Sequence, residues 1–123
     1  MSLFTYIASI GQRNSIATGI LTIGTDKIMY WPNGKDCIYY NWYDIKNIQL
    51  FYHGYKGQPL RNEYGQETLA IDNGDKNYII IQQKKAPSIR INFHLTKEQS
   101  VIIKQILHQC CEQTGVKLYM RNR

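Results

Sequence analysis

The sequence predicts a mainly β domain ending in one α-helix: a small, partly open barrel or sandwich of seven strands that the helix caps. Three observations carry this expectation. Ile89 to Leu95 alternates apolar and polar residues, and Thr96 punctuates the run. From Lys97 to Thr114, apolar side chains at Ile102, Ile103, Ile106, Leu107 and Cys110 recur at helical spacing. Upstream, short alternating runs are separated by Gly, Pro, Asn and Asp, the pattern of strands joined by turns. With 123 residues, the chain fits a single domain, which at this size buries roughly 65–70% of the surface its unfolded chain exposes. The expected division is an N-terminal extra strand or linker from a longer protein over 1–14, the domain over 15–115, and a basic tail over 116–123.

Leu3 to Ile10 is apolar and ends at Gly11, which suits either an extra edge strand or the foot of a helix; Gln12-Arg13-Asn14 then breaks it. Ser15 to Gly24 places Leu21 and Ile23 on one face, with Gly19 at a bulge or a close backbone approach. Gly24-Thr25-Asp26 turns the chain into Lys27–Trp31. Pro32-Asn33-Gly34 turns it again, because Pro fixes φ and Asn-Gly tolerates positive φ. In Cys37–Tyr43, Ile38, Tyr40 and Trp42 share a face. After Asp44, which suits a turn, Ile45, Ile48, Leu50 and Tyr52 resume the pattern. His53 to Gln66 reads as one long loop. Glu67–Asp72 restarts alternation with Leu69 and Ile71 inward, Asn73-Gly74 makes a two-residue hairpin, and Tyr78–Gln83 follows. Lys84-Lys85-Ala86-Pro87 separates it from Ile89, Ile91, Phe93 and Leu95. The helix start is marked by Thr96 and Gln99, a capping box, and its end by Gly115.

Fifteen Lys and Arg against nine Asp and Glu give a net charge of +6. That balance favours an acidic partner such as nucleic acid, anionic lipid or an acidic protein. No apolar run approaches the ~20 residues of a membrane-spanning helix. The start lacks the basic region and apolar stretch of a secretory signal, which fits a cytoplasmic chain or a domain whose targeting segment lies elsewhere. Three cysteines, two of them adjacent, do not make a disulfide framework and suit a reducing compartment.

Gly19-Ile20-Leu21-Thr22-Ile23, Asp26-Lys27-Ile28-Met29-Tyr30 and Trp42-Tyr43-Asp44-Ile45-Lys46-Asn47-Ile48, in this order of strands and helix, resemble the pleckstrin-homology-like superfamily, and most nearly its bacterial and GRAM-like branches. The resemblance runs from about Ser15 to Thr114. It implies a non-catalytic interaction module that binds a protein or peptide, or an anionic membrane at its cytoplasmic face. The helix lacks the tryptophan of many eukaryotic members. The first hairpin offers only Lys27 where headgroup recognition needs several converging cations, so attraction to lipid is expected to be weak, at about 1 kcal/mol per placed basic residue.

The candidate binding residues are Tyr55, Lys56, Arg61 and Tyr64 in the long loop, where Tyr and Arg supply interface area and directional bonds, and the basic cluster Lys84, Lys85 and Arg90. The Glu67–Asp72 strand, placed near a sheet edge beside the helix, offers a route to peptide capture. No catalytic residue, metal site or cofactor is expected. His53, His94 and His108 are scattered, and His108 with Cys110 and Cys111 falls short of a four-ligand zinc set. Gly54-Tyr55-Lys56-Gly57 lacks the order of a phosphate-binding loop. The alternative function is single-stranded nucleic-acid binding, with Tyr and Trp rings stacking on bases between Lys and Arg.

Overall fold

A computed structural model describes residues 5–10, 19–32 and 36–122. In chain order it contains β1 (Thr5–Ile10), β2 (Gly19–Gly24), β3 (Lys27–Pro32), β4 (Ile38–Asn41), a 3-10 turn (Trp42–Asp44), β5 (Ile45–Tyr52), β6 (Pro59–Arg61) and β7 (Glu67–Ile71). It continues with β8 (Asn77–Gln83), β9 (Ile89–Phe93), α1 (Lys97–Thr114) and β10 (Lys117–Asn122). The fold is mainly β with a single C-terminal helix. Two open four-stranded sheets have the orders β1-β2-β3-β4 and β10-β5-β8-β9, and β6 and β7 form a separate hairpin arm. Every pairing is antiparallel except β10 with β5, which is parallel.

The inward positions follow from the two-residue period of strands. Leu21 and Ile23 of β2, Ile48 and Leu50 of β5, Ile79 and Ile81 of β8, and Ile91 and Phe93 of β9 join one core. Ile103, Ile106, Leu107, Cys110 and Cys111 of α1 complete it. The helix packs on β1, β2 and β10 and so touches both large sheets. Its ends are as the capping residues dictate: the Thr96 side chain accepts from the Gln99 amide while the Gln99 side chain accepts from the Thr96 amide, and Gly115 at φ 77° closes it. Thr96→Ala is expected to cost about 0.5–2 kcal/mol, read as a lowered denaturant midpoint at unchanged slope; an unchanged midpoint would mean that the cap contributes nothing.

Several expectations change. The described residues hold ten strands, not seven. Of the readings of the N-terminal stretch the edge strand is the one found, β1 over residues 5–10, whereas the stretch read as a basic tail contains β10. Gly19 is the end pair of β2 with both β1 and β3, and the register shift among the described strands of the second sheet lies between Ile45 and Asn47. The long loop contains β6, which pairs with β7. Leu69 and Ile71 are therefore exposed, not inward. Asn73-Gly74 does not join a hairpin, because β7 pairs with β6 and not with β8. That removes the expected groove too, since β7 belongs to neither sheet that carries the helix. Trp42 is buried, but in a 3-10 turn that ends the alternation of β4, and Ile38 is exposed. On the helix, Ile102 is exposed and Cys111 takes the inward place. The Gln12-Arg13-Asn14 break, Ser15–Thr18 and the Asn33-Gly34 turn lie outside the described residues.

Burial pushes the Cys110 thiol up, and burial with Cys110 beside it pushes Cys111 up to about 12. Cys37 is only half-buried. Since the thiolate is the reactive form, a thiol reagent near pH 8 is expected to modify one cysteine quickly in the folded chain and all three after unfolding. Three fast-reacting thiols in the folded chain would contradict this packing.

Candidate functional site

The residues that alternate with the core positions of the second sheet form its outer face. The register brings together Lys117, Tyr119 and Arg121 of β10, Asn47, Gln49 and Phe51 of β5, Tyr78, Ile80 and Gln82 of β8, and Arg90 and Asn92 of β9. None of these four strands carries an aspartate or glutamate. Cations flank the face, with Arg90 on one edge strand and Lys117 and Arg121 on the other.

Aromatic rings occupy its middle. Phe51 and Tyr78 are directly opposite in register and stack with centroids 4.8 Å apart and planes 8° apart. Arg90 places its guanidinium carbon 3.7 Å from the Tyr78 ring centre, and its Nε donates to Asn92 Oδ1 at 3.0 Å. Because β8 lies between β5 and β9, Phe51 and Arg90 reach Tyr78 from opposite sides. A cleft of about 360 Å³ opens across β10, β5 and β8, lined by Tyr119, Arg121, Gln49, Phe51, Tyr78 and Ile80 among others. Beyond the Gln49–Ile80 row, Asn47 Nδ2 donates to Gln82 Oε1 at 2.7 Å. The face is thus a pre-ordered surface of stacked rings, amides and unopposed positive charge.

Of the candidate binding residues only Arg90 lies on this face, joined there by Lys117 and Arg121 of the stretch read as a basic tail. Lys84 and Lys85 are exposed in the β8–β9 turn, where the Lys84 amide donates to the Asp44 carbonyl. Arg61 and Tyr64 are exposed on the β6–β7 arm; Arg61 donates to the Gly65 carbonyl and pairs with Glu67 at 3.6 Å. Tyr55 and Lys56 lie at the base of that arm, held by their backbone. The seven residues therefore do not form one site. Phe51, Tyr78 and Tyr119 carry the face with Arg121, and only the alternation within separate strands hinted at these three rings.

The base of the arm holds a second cluster that sequence reasoning missed. Buried Asp72 receives the Gly74 amide at 2.7 Å on Oδ1, and its Oδ2 is 2.5 Å from His53 Nδ1. Buried Asn77 accepts from the His53 and Gly54 amides and donates to the Gly54 and Gly74 carbonyls. A side chain on Gly74 would meet backbone atoms of Leu95 and Lys56 at 2.5–2.6 Å, so this close approach requires glycine. The cluster spends its bonds on the chain's own backbone and acts as a clamp on the arm. The Asp72-Asn73-Gly74 run, with its turn chemistry, was the local sign of it.

Among the described residues no group of three or more His, Cys, Asp or Glu comes together, and no helix is long and apolar enough to cross a membrane. Searched against models of known protein families, the chain matches none, and a comparison with curated proteins gives no match.

Proposed function

We propose that this chain is a non-catalytic interaction module of pleckstrin-homology-like plan that holds an anionic partner on the outer face of the second sheet. The observation that carries the reading is the charge of that face: Lys117, Arg121 and Arg90 stand on its two edge strands, and none of its four strands carries an acidic residue. Positive charge without an acidic residue on the same strands steers and retains a negatively charged surface.

The plan is supported by what remains when the β6–β7 arm and β10 are set aside. A four-stranded antiparallel sheet is followed by the antiparallel trio β5, β8 and β9 and then by the helix. That is seven strands and a helix, with β1 a member and β7 an insertion. Trp42, Ile45 and Ile48 of the W-x-D-I-x-x-I stretch are all core residues.

Retention on immobilised heparin, a polyanion without bases or lipid, tests the reading. Salt should elute the chain late, and replacing Lys117, Arg121 and Arg90 together by Ala should move elution clearly earlier. Replacing Lys84 and Lys85 should move it much less. Equal shifts from the two sets, or no retention, would remove the outer face as the binding surface.

A further inference from the structure

Resting on that reading, we infer that the anionic partner is a single strand of nucleic acid, laid across β9, β8, β5 and β10 with a base in the cleft between Phe51 and Tyr119. Charge alone would suit any polyanion. The rings narrow the choice: Phe51 is backed on one side by Tyr78, itself held by Arg90, so it is fixed without a partner present. Phe51 and Tyr78 both border the cleft that Tyr119 and Arg121 also line. A flat base entering there gains stacking on a ring already ordered, while Arg121 stands beside it for a phosphate.

The spacing of charge and rings fits a strand better than a lipid surface. Four strands about 4.8 Å apart make a face roughly 14 Å wide. Its cations stand on the two edge strands, with Phe51, Tyr78, Gln49 and Gln82 between them and Tyr119 and Asn92 beside the cations on the edges. A strand crossing that width meets positive charge at both sides and ring faces in the middle. A bilayer would need apolar side chains that project beyond the basic residues, whereas Phe51 and Tyr78 are packed against each other on the sheet. Gln49 and Asn92 add amides able to pair with base edges, for which a lipid headgroup has no use. Duplex nucleic acid hides its base faces and gains nothing from the cleft.

Binding of the full chain to a fluorescent twelve-nucleotide oligothymidylate tests this, read by anisotropy at low and physiological salt. A strand of equal length built from abasic sites keeps the phosphates and removes the bases. The oligothymidylate is expected to bind at least about tenfold more tightly than the abasic strand. Tyr119→Ala, on a half-exposed position of the terminal strand, should abolish most of that difference, and Tyr119→Phe should retain it, while heparin retention stays unchanged in both. Phe51→Ala should act like Tyr119→Ala. Equal affinity for the oligothymidylate and abasic strands overturns the inference yet leaves the anionic face standing, as does tighter binding to vesicles containing phosphatidylserine. Competition by thymidine monophosphate as effective as by the strand would make the ligand a free nucleotide and overturn it too. Loss of all binding, heparin included, overturns both readings.

Discussion

Trp42→Ala is expected to lower stability by about 3–5 kcal/mol, enough to remove a large share of the 5–15 kcal/mol typical of a domain. The indole is 2% exposed and belongs to the single core. It sits in the 3-10 turn through which the chain passes from the first sheet to the second. Its Nε1 donates to the Gly24 carbonyl at 2.8 Å, at the end of β2, and Cys110 Sγ of the helix lies 3.6 Å from the same oxygen. One side chain thus joins both sheets near the helix, and its removal leaves a cavity and an oxygen short of its indole donor. Trp42→Phe keeps most of the apolar area and loses the bond, so its cost should be clearly smaller than that of Ala. Equilibrium denaturation with guanidinium, at unchanged slope, separates these effects. A shift for Trp42→Ala within about 0.5 kcal/mol would contradict the packing described.

The parts of the fold that were legible in the sequence are those decided by local chemistry. Thr96, Gln99 and Gly115 mark the helix because capping bonds span three or four residues. Leu21 with Ile23, and Ile48 with Leu50, were readable because burial on one face leaves a period of two. Alternation also misled. Leu69 and Ile71 have the same pattern on an arm with no core beneath it, and periodicity records which residues share a face without saying what that face meets. Lys117 to Asn122 read as a tail because Lys, Tyr and Arg are exposed there, yet Leu118 packs against the core, and the parallel partner β5 lies about seventy residues away.

The outer face was illegible for the same reason. It assembles Gln49 and Phe51, Tyr78, Arg90, and Tyr119 and Arg121 from four separated stretches, and only the register places them side by side. Sequence clustering pointed instead to Lys84 and Lys85, neighbours in the chain at a turn. Adjacency in sequence concentrates charge at loops. Adjacency across strands builds a surface with a fixed geometry, and stacked rings need the second kind.

Asn77→Ala is expected to cost about 3 kcal/mol or more, although it removes only a small polar side chain. Asn77 opens β8, is fully buried, and uses both ends of its amide. Its Oδ1 accepts the His53 amide at 2.7 Å and the Gly54 amide at 3.2 Å; its Nδ2 donates to the Gly54 carbonyl at 2.8 Å and the Gly74 carbonyl at 3.1 Å. Gly74 keeps a second donor, the Leu95 amide. The His53 and Gly54 amides and the Gly54 carbonyl lose the partner that Asn77 supplied, at about 1–3 kcal/mol for each one left unsatisfied. Asn77→Asp separates donor from acceptor. It still receives the two amides, but when ionised it faces two carbonyl oxygens with a negative charge and nothing to donate. Burial and those oxygens favour the neutral acid in the folded state and raise its folded pKa above its unfolded value. Stability relative to the parent should therefore be best below about pH 4, where the acid is protonated in both states and can donate, and should fall as pH rises through the folded pKa. In the parent the His53 and Gly54 amides should exchange slowly with solvent, and in Asn77→Ala they should exchange faster than amides of β8 and β5, because the clamp opens before the core does. If Asn77→Ala instead matches the parent in stability and in exchange at both amides, the arm is held by its other bonds and the Asn77 amide is not its clamp.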